Sequence, residues 1–187
     1  MLAGGAGRRL GRDKASLVVD GHALAARAAA ALAPLCPRVL ISIRTGGVNP
    51  AAGFEAIEDE PPAGRGPLAG LVAGFAAAPG SDLLVLACDY PRVTESLLRK
   101  ILAAATAADD VVFPVDEGGR DHPLVGLWRG RIAGAARAAV GEGRLAVRDL
   151  LAGLAVRRLS CRAGRDGAAD GALVNVNRPE DLRRFAG

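Results

Sequence analysis

A chain of 187 residues is one domain's length, and half of it is hydrophobic while aromatics supply only 3%, so its core must be built from Ala, Val, Leu and Ile rather than from rings. The net charge of +4 raises the question of nucleic acid. Its basic residues are spread along the chain without aromatic interleaving, so anionic small molecules fit better than a polynucleotide.

No segment approaches the roughly 18 uninterrupted apolar residues of a spanning helix, and the N-terminus lacks the basic-then-apolar order of a signal peptide. A cytoplasmic protein without a membrane segment is expected. Cys36, Cys88 and Cys161 are odd in number and far apart, which suggests neither a disulfide framework nor a zinc site but small buried apolar residues.

The chain opens on Leu2-Ala3-Gly4-Gly5-Ala6-Gly7-Arg8-Arg9-Leu10-Gly11-Arg12-Asp13-Lys14. The glycines leave the backbone free to approach a ligand, so that amide N–H groups can converge on an anion. Arg8, Arg9, Arg12 and Lys14 add positive charge, arginine suiting bidentate phosphate contacts and lysine a point contact on developing charge. A Walker loop is excluded, because Gly11 is followed by Arg12 and Lys14 by Ala15 rather than by a hydroxyl. A dinucleotide fingerprint from Gly5 is excluded by Leu10, where a small residue is needed. A loop of this kind should hang from a buried strand of about five residues, yet only residues 1–3 precede it. Met1 is therefore expected to be an internal methionine taken as the start, with further residues, mostly Val, Ile, Leu or Ala, encoded upstream; the alternative is a shortened first strand.

Beyond the loop, residues 16–19 read as a short extended piece, Asp20-Gly21 as a turn and residues 22–35 as an alanine-rich helix. Residues 38–43 and 54–57 read as strands, the second ending in Glu58-Asp59-Glu60. A helix should run from residue 64 to about 78, with Pro67 in its first turn. Residues 83–88 are the clearest buried strand, and it ends on Asp89. Thr94 should cap a helix reaching about residue 107, before a strand at 111–115. Residues 118–123 form a turn, 124–128 a strand, 131–140 and 145–154 helices, 155–159 a further strand and 162–171 a loop. A last strand at 172–177 feeds a terminal helix, for which Asn177 is a good N-cap with Pro179, Glu180 and Asp181 in the first turn. Alternating strands and helices call for a single α/β domain over residues 1–187, with a mostly parallel sheet and ligands at the strands' C-terminal ends.

Three constellations carry candidate chemistry. Asp89, where a buried strand opens into a loop, is placed to hold magnesium, which takes only one or two protein carboxylates when phosphates and water complete its shell. Asp59 also lies just past an apolar run, although its acidic neighbours equally describe a solvated turn. Asn175 and Asn177 alternate in an extended segment and would offer their amides to one face, though Asn177 serves equally as a helix cap. Neither His22 nor His122 has an acid–base partner at a recognisable spacing.

The opening stretch, read as L-A-G-G-x-x-x-R-x-G-x-D-K-A, resembles the molybdenum cofactor guanylyltransferase family. Gly66-Pro67-Leu68-Ala69-Gly70, Ala87-Cys88-Asp89-Tyr90-Pro91 and Asn175-Val176-Asn177 follow in the family's order. The resemblance implies a three-layer αβα sandwich of the nucleotide-diphospho-sugar-transferase (GT-A, Rossmann-like) type. It implies transfer of GMP from GTP to the phosphate of molybdenum-bound molybdopterin, with release of pyrophosphate. Lys14, Arg9 and Asp89 would be catalytic, Asp89 holding Mg2+. Leu2, Ala3, Gly4, Gly5, Lys14, Asp59, Gly66, Gly70 and Asp89 would bind the nucleotide, and Asn175 and Asn177 the molybdopterin. Passing contacts with molybdenum-insertion and molybdoenzyme-maturation proteins would follow. Ser42 stands where some members carry a nucleotide-contacting asparagine, which keeps a CTP-using or other-acceptor transferase open, and a nucleotide-binding module without turnover stays open beside it.

Overall fold

Short runs of aliphatic residues become the strands, and the alanine-rich stretches between them become helices that cover both faces of the sheet. The computed structural model describes residues 1–3, 14–19, 21–59, 66–162, 164, 171–176 and 181. A small hairpin of β1 (Val18–Val19) and β2 (His22–Ala23) leads into α1 (Leu24–Leu32), β3 (Leu40–Ile43), β4 (Glu55–Glu58) and α2 (Gly66–Ala77). Next come β5 (Leu83–Leu86), α3 (Glu95–Ala104), β6 (Val111–Val115) and β7 (Val125–Trp128). α4 (Ala133–Gly141), α5 (Val147–Leu151) and β8 (Val156–Ser160) complete the described elements.

Residues 1–3 stitch the sheet together. Leu2 bridges in parallel to Ser42 on one side and to Ala87 on the other. The Leu2 amide donates to the Leu86 carbonyl at 3.0 Å, and the Ala3 amide donates to the Ser42 carbonyl at 2.9 Å. The spatial order is therefore β4, β3, residues 1–3, β5, β7, β6, β8, with β7 alone antiparallel to its neighbours. Its reversal has a local cause, because the link from β6 to β7 is too short for a helical crossover. That link is a turn in which the Asp116 carboxylate accepts from the amides of Gly118 and Arg120. The Met1 amino group is buried at the mouth of this short pairing and donates to the Leu40 carbonyl at 2.7 Å.

Strand alternation sorts the apolar side chains into two layers. Leu86 and Val112 face a cluster with Leu24 and Leu32 of α1 and Leu97, Leu98 and Ile101 of α3. Val85, Val111 and Phe113 face the other, with Leu68, Val72 and Phe75 of α2, Ala136 of α4, Leu150 of α5 and Trp128. This is the expected three-layer sandwich around a mostly parallel sheet.

Three boundaries differ from the sequence reading. α1 starts at Leu24, because Val18↔Ala23 and Val19↔His22 pair in the hairpin. α3 stops at Ala104: Ala105 is extended, and the Asp109 carboxylate ties the following turn by accepting from the Thr106 amide and hydroxyl, both at 2.7 Å. The strand expected at 172–177 is corrected, since residues 171–173 form a turn and 174–176 join no ladder. The segment is tied instead by the Val176 amide, which donates to the Asp89 carbonyl at 2.8 Å, after a local turn in which the Val174 amide donates to the Gly171 carbonyl at 3.0 Å. Cys88 and Cys161 are buried free thiols and Cys36 is half-buried. Among the described residues no helix is long and apolar enough to cross a membrane.

Candidate active site

The site residues gather where the sheet order turns back on itself, at the C-terminal ends of β3, β4, residues 1–3 and β5, which is where open α/β sheets take their ligands. β3 delivers Ser42, and β4 delivers Asp59 one residue past its end. Both are buried, and the Ser42 hydroxyl donates to Asp59 Oδ1 at 2.5 Å. The Asp59 amide donates to the Ile43 carbonyl at 2.8 Å, and the Thr45 hydroxyl donates to the Asp59 carbonyl at 3.1 Å, so the carboxylate is held on a fixed backbone. Burial pushes the Asp59 carboxyl above the ordinary carboxylate range, and the Ser42 hydroxyl partly offsets it.

Gly70 of α2 closes this corner. A Cβ there would press onto Ser42 Oγ, come within 2.8 Å of Leu2 Cδ2 and 3.3 Å of Asp59 Oδ1. Glycine lets the helix lie directly against the β3–β4 corner. Gly66 plays a different part: as the first residue of α2 it has φ +69°, which glycine adopts without strain, and open space around it. Leu2, Asp59 and Gly70 are thus brought together, as the motifs imply, with Ser42 as a fourth member. From the sequence Ser42 is only a shortened nucleotide contact; its role as the hydrogen-bond donor to Asp59 joins two residues 17 positions apart and has no sequence signature.

Asp89 stands three residues past the end of β5 and is half-buried. The Cys88 amide donates to the Leu2 carbonyl at 3.1 Å, which ties the turn bearing Asp89 to the strand from which the glycine-rich loop departs. The Asp89 carbonyl receives the Val176 amide, so half-buried Asn175 is carried beside the same turn. Tyr90, next in the chain, is buried, and its hydroxyl lies 3.1 Å from His122 Nδ1. His122 Nε2 lies 3.0 Å from Asp116 Oδ2, so the histidine does have partners, supplied by folding rather than by spacing. Backbone donation from Arg120 and the His122 contact hold the Asp116 carboxyl below its ordinary value.

Lys14 opens a single 3-10 turn, Lys14–Ser16, beside α1, and its side chain lies outside the described residues. Gly4, Gly5, Arg9 and Asn177 also lie outside them, while Ala3 is buried and bonded to β3 where that loop departs. Among the described residues no cluster of three or more His, Cys, Asp or Glu side chains could hold a metal alone. A divalent ion here would need phosphate oxygens to complete its shell, which suits a nucleotide-borne Mg2+ held by the hard oxygen donor Asp89.

A mostly parallel sheet of this order, with a carboxylate at its reversal point, is the frame of a nucleotide-binding α/β protein, and the family match makes it a nucleotidyltransferase. Residues 1–160 match the MobA-like NTP transferase domain, and the chain belongs to that family. Over 98% of its length it is 39% identical to a molybdenum cofactor guanylyltransferase of Cereibacter sphaeroides, covering 92% of that protein. It is 31% identical over its whole length to the enzyme of the same name from a Shewanella species, covering 93% of it. The crystal structure of molybdopterin-guanine dinucleotide biosynthesis protein A from Archaeoglobus fulgidus shares the fold, with a TM-score of 0.79 over 98% of this chain and 94% of that one at 21% identity.

Proposed function

We propose that this chain transfers GMP from GTP to the phosphate of molybdopterin, releasing pyrophosphate and leaving the guanine dinucleotide form of the cofactor. One observation carries the reading: the Ser42–Asp59–Gly70 corner and the Asp89 turn lie on either side of residues 1–3, with Asn175 hooked to the Asp89 turn. A nucleotide spanning residues 1–3 would set its base at the corner and its phosphates at Asp89. The acceptor would then approach from Asn175.

In this arrangement the Asp59 carboxylate, with one oxygen engaged by Ser42, keeps the other for N–H donors of a guanine edge. Gly70 lets that edge sit close to the helix backbone, and Gly66, at the N-terminus of α2, would turn the first amides of that helix toward the nucleotide. The glycine-rich loop with Arg9 and Lys14 would steady charge on the transferring and leaving oxygens, with the attacking acceptor phosphate in line with pyrophosphate departure. That phosphate is already ionised near neutral pH, so no general base is required. When bound, Mg2+ supplies neutralisation of charge across the phosphates, and Asp89 is the side chain that would hold it. A cytoplasmic site of action, with passing contacts to molybdenum-insertion and molybdoenzyme-maturation proteins, accords with this reading.

Pyrophosphate release measured with GTP and with CTP, each with and without molybdopterin, tests it. Release that needs both GTP and molybdopterin is expected. Equal or faster release with CTP would reassign the base specificity, and nucleotide binding without release under any condition would mean a module without turnover.

A further inference from the structure

We propose that His122 is a positioning residue for nucleotidyl transfer, the anchor through which the β6–β7 turn holds the Asp89 turn in register with the acceptor segment. The inference rests on the functional reading above for the part that Asp89 plays.

His122 is 1% exposed, and both of its ring nitrogens are engaged. An ionised carboxylate can only accept, so Nε2 carries a proton toward Asp116, and in the neutral ring Nδ1 then accepts from the Tyr90 hydroxyl. The line therefore runs in one direction, Tyr90 to His122 to Asp116. Its far end is fixed. Asp116 Oδ1 takes the Gly118 amide at 2.9 Å and the Arg120 amide at 3.0 Å, the His122 amide donates to the Pro114 carbonyl at 3.0 Å, and the Val125 amide donates to the His122 carbonyl at 3.0 Å. Its near end is the residue following Asp89. The rings of Tyr90 and His122 meet edge to face, 5.7 Å between centroids at 84°. The Asp89 carbonyl in turn holds Val176, so a shift at Tyr90 would move both the carboxylate and the segment carrying Asn175.

Simple filling of this space would need no polar atoms. Burying an imidazole, a phenol and a carboxylate costs free energy unless each is paired, whereas an apolar cluster would pack without that constraint. What the polar line adds is direction: it fixes the angle at which Tyr90, and with it Asp89, leaves β5. Groups hydrogen-bonded to a metal ligand typically change metal affinity or activity by about 10- to 100-fold when removed, and a line that holds the residue next to the carboxylate belongs at the lower end of that range.

Tyr90→Phe removes one hydroxyl and keeps the ring, and His122→Gln keeps a donor toward Asp116 while losing the Tyr90 contact. Calorimetry of GTP binding with and without Mg2+ reads the effect without needing turnover, and pyrophosphate release then separates kcat from KM. Both variants are expected to melt within a few degrees of the parent protein. Each should lose roughly tenfold in the Mg2+-dependent part of GTP affinity and in kcat, with Mg2+-free GTP binding unchanged. Combined, they should cost no more than either alone, because they break the same line. A folded Tyr90→Phe protein with parental Mg2+ dependence would overturn the proposal, as would additive losses in the double variant. A parent protein that binds Mg2+–GTP but releases no pyrophosphate would defeat the functional reading while leaving this test intact.

Discussion

Gly70 and Asp89 show how much of the site depends on single side chains, one by lacking an atom and one by supplying a charge. Gly70→Ala gains roughly 1 kcal/mol of helix propensity, but its methyl group would displace the end of the Leu2 side chain and collide with Ser42 Oγ, which cannot turn away without breaking the Asp59 bond. The net expectation is a loss of about 1 to 3 kcal/mol in denaturant unfolding together with weaker GTP binding. An alanine variant as stable as the parent would show that the corner relaxes freely. Asp89→Asn keeps the shape and removes the charge, so Mg2+-dependent GTP affinity should disappear in calorimetry while Mg2+-free binding persists. Parental affinity would move the metal to another carboxylate, Asp59 first. Asp89, Asp59 and Gly70 were legible in the sequence because each lies in a motif at the end of a recognisable element. The bond from Ser42 to Asp59 and the partners of His122 were not, because they join strands and turns distant in sequence.

At the scale of elements, local chemistry and tertiary pairing divided the work. Thr94 caps α3 as its sequence indicates, its side-chain oxygen accepting from the Leu97 amide at 3.3 Å. Thr94→Ala should cost about 1 kcal/mol of stability and leave the KM for GTP unchanged, because α3 packs beneath the sheet and offers no residue to the site. A shift in KM without a change in melting temperature would contradict that separation. β6 and β7 were found from their aliphatic runs, yet the antiparallel direction of β7 is a property of how strands are connected rather than of their residues. Residues 172–176 alternate like a strand but join no ladder among the described residues, and the bond from the Val176 amide to the Asp89 carbonyl ties them to the turn after β5.

For the whole molecule, residues 1–3 pair at the centre of the sheet, and when the Met1 amine is free it lies inside it. Burial pulls that amine down to about 6 from its ordinary 8.0. The unfolded chain therefore binds the proton more tightly than the folded one between pH 6 and 8, and stability should rise with pH across that window. Below it, where both states are protonated, the cost is about 2 to 3 kcal/mol by the same difference. Melting temperatures flat from pH 5.5 to 8.5 would show the amine to be solvated. The layered core has one more consequence. The chain has a single tryptophan, and Trp128 is fully enclosed in the layer of α2, α4 and α5, its indole N–H donating to the Pro123 carbonyl at 2.9 Å. Its fluorescence is thus a private reporter of one layer, while far-ultraviolet ellipticity averages over both. Because β5, β6 and β7 send alternate side chains into each layer, emission and ellipticity should change together in urea. Ellipticity lost while the indole still emits as a buried group would reveal that the α1 and α3 side, where Asp89 and Tyr90 sit, melts first.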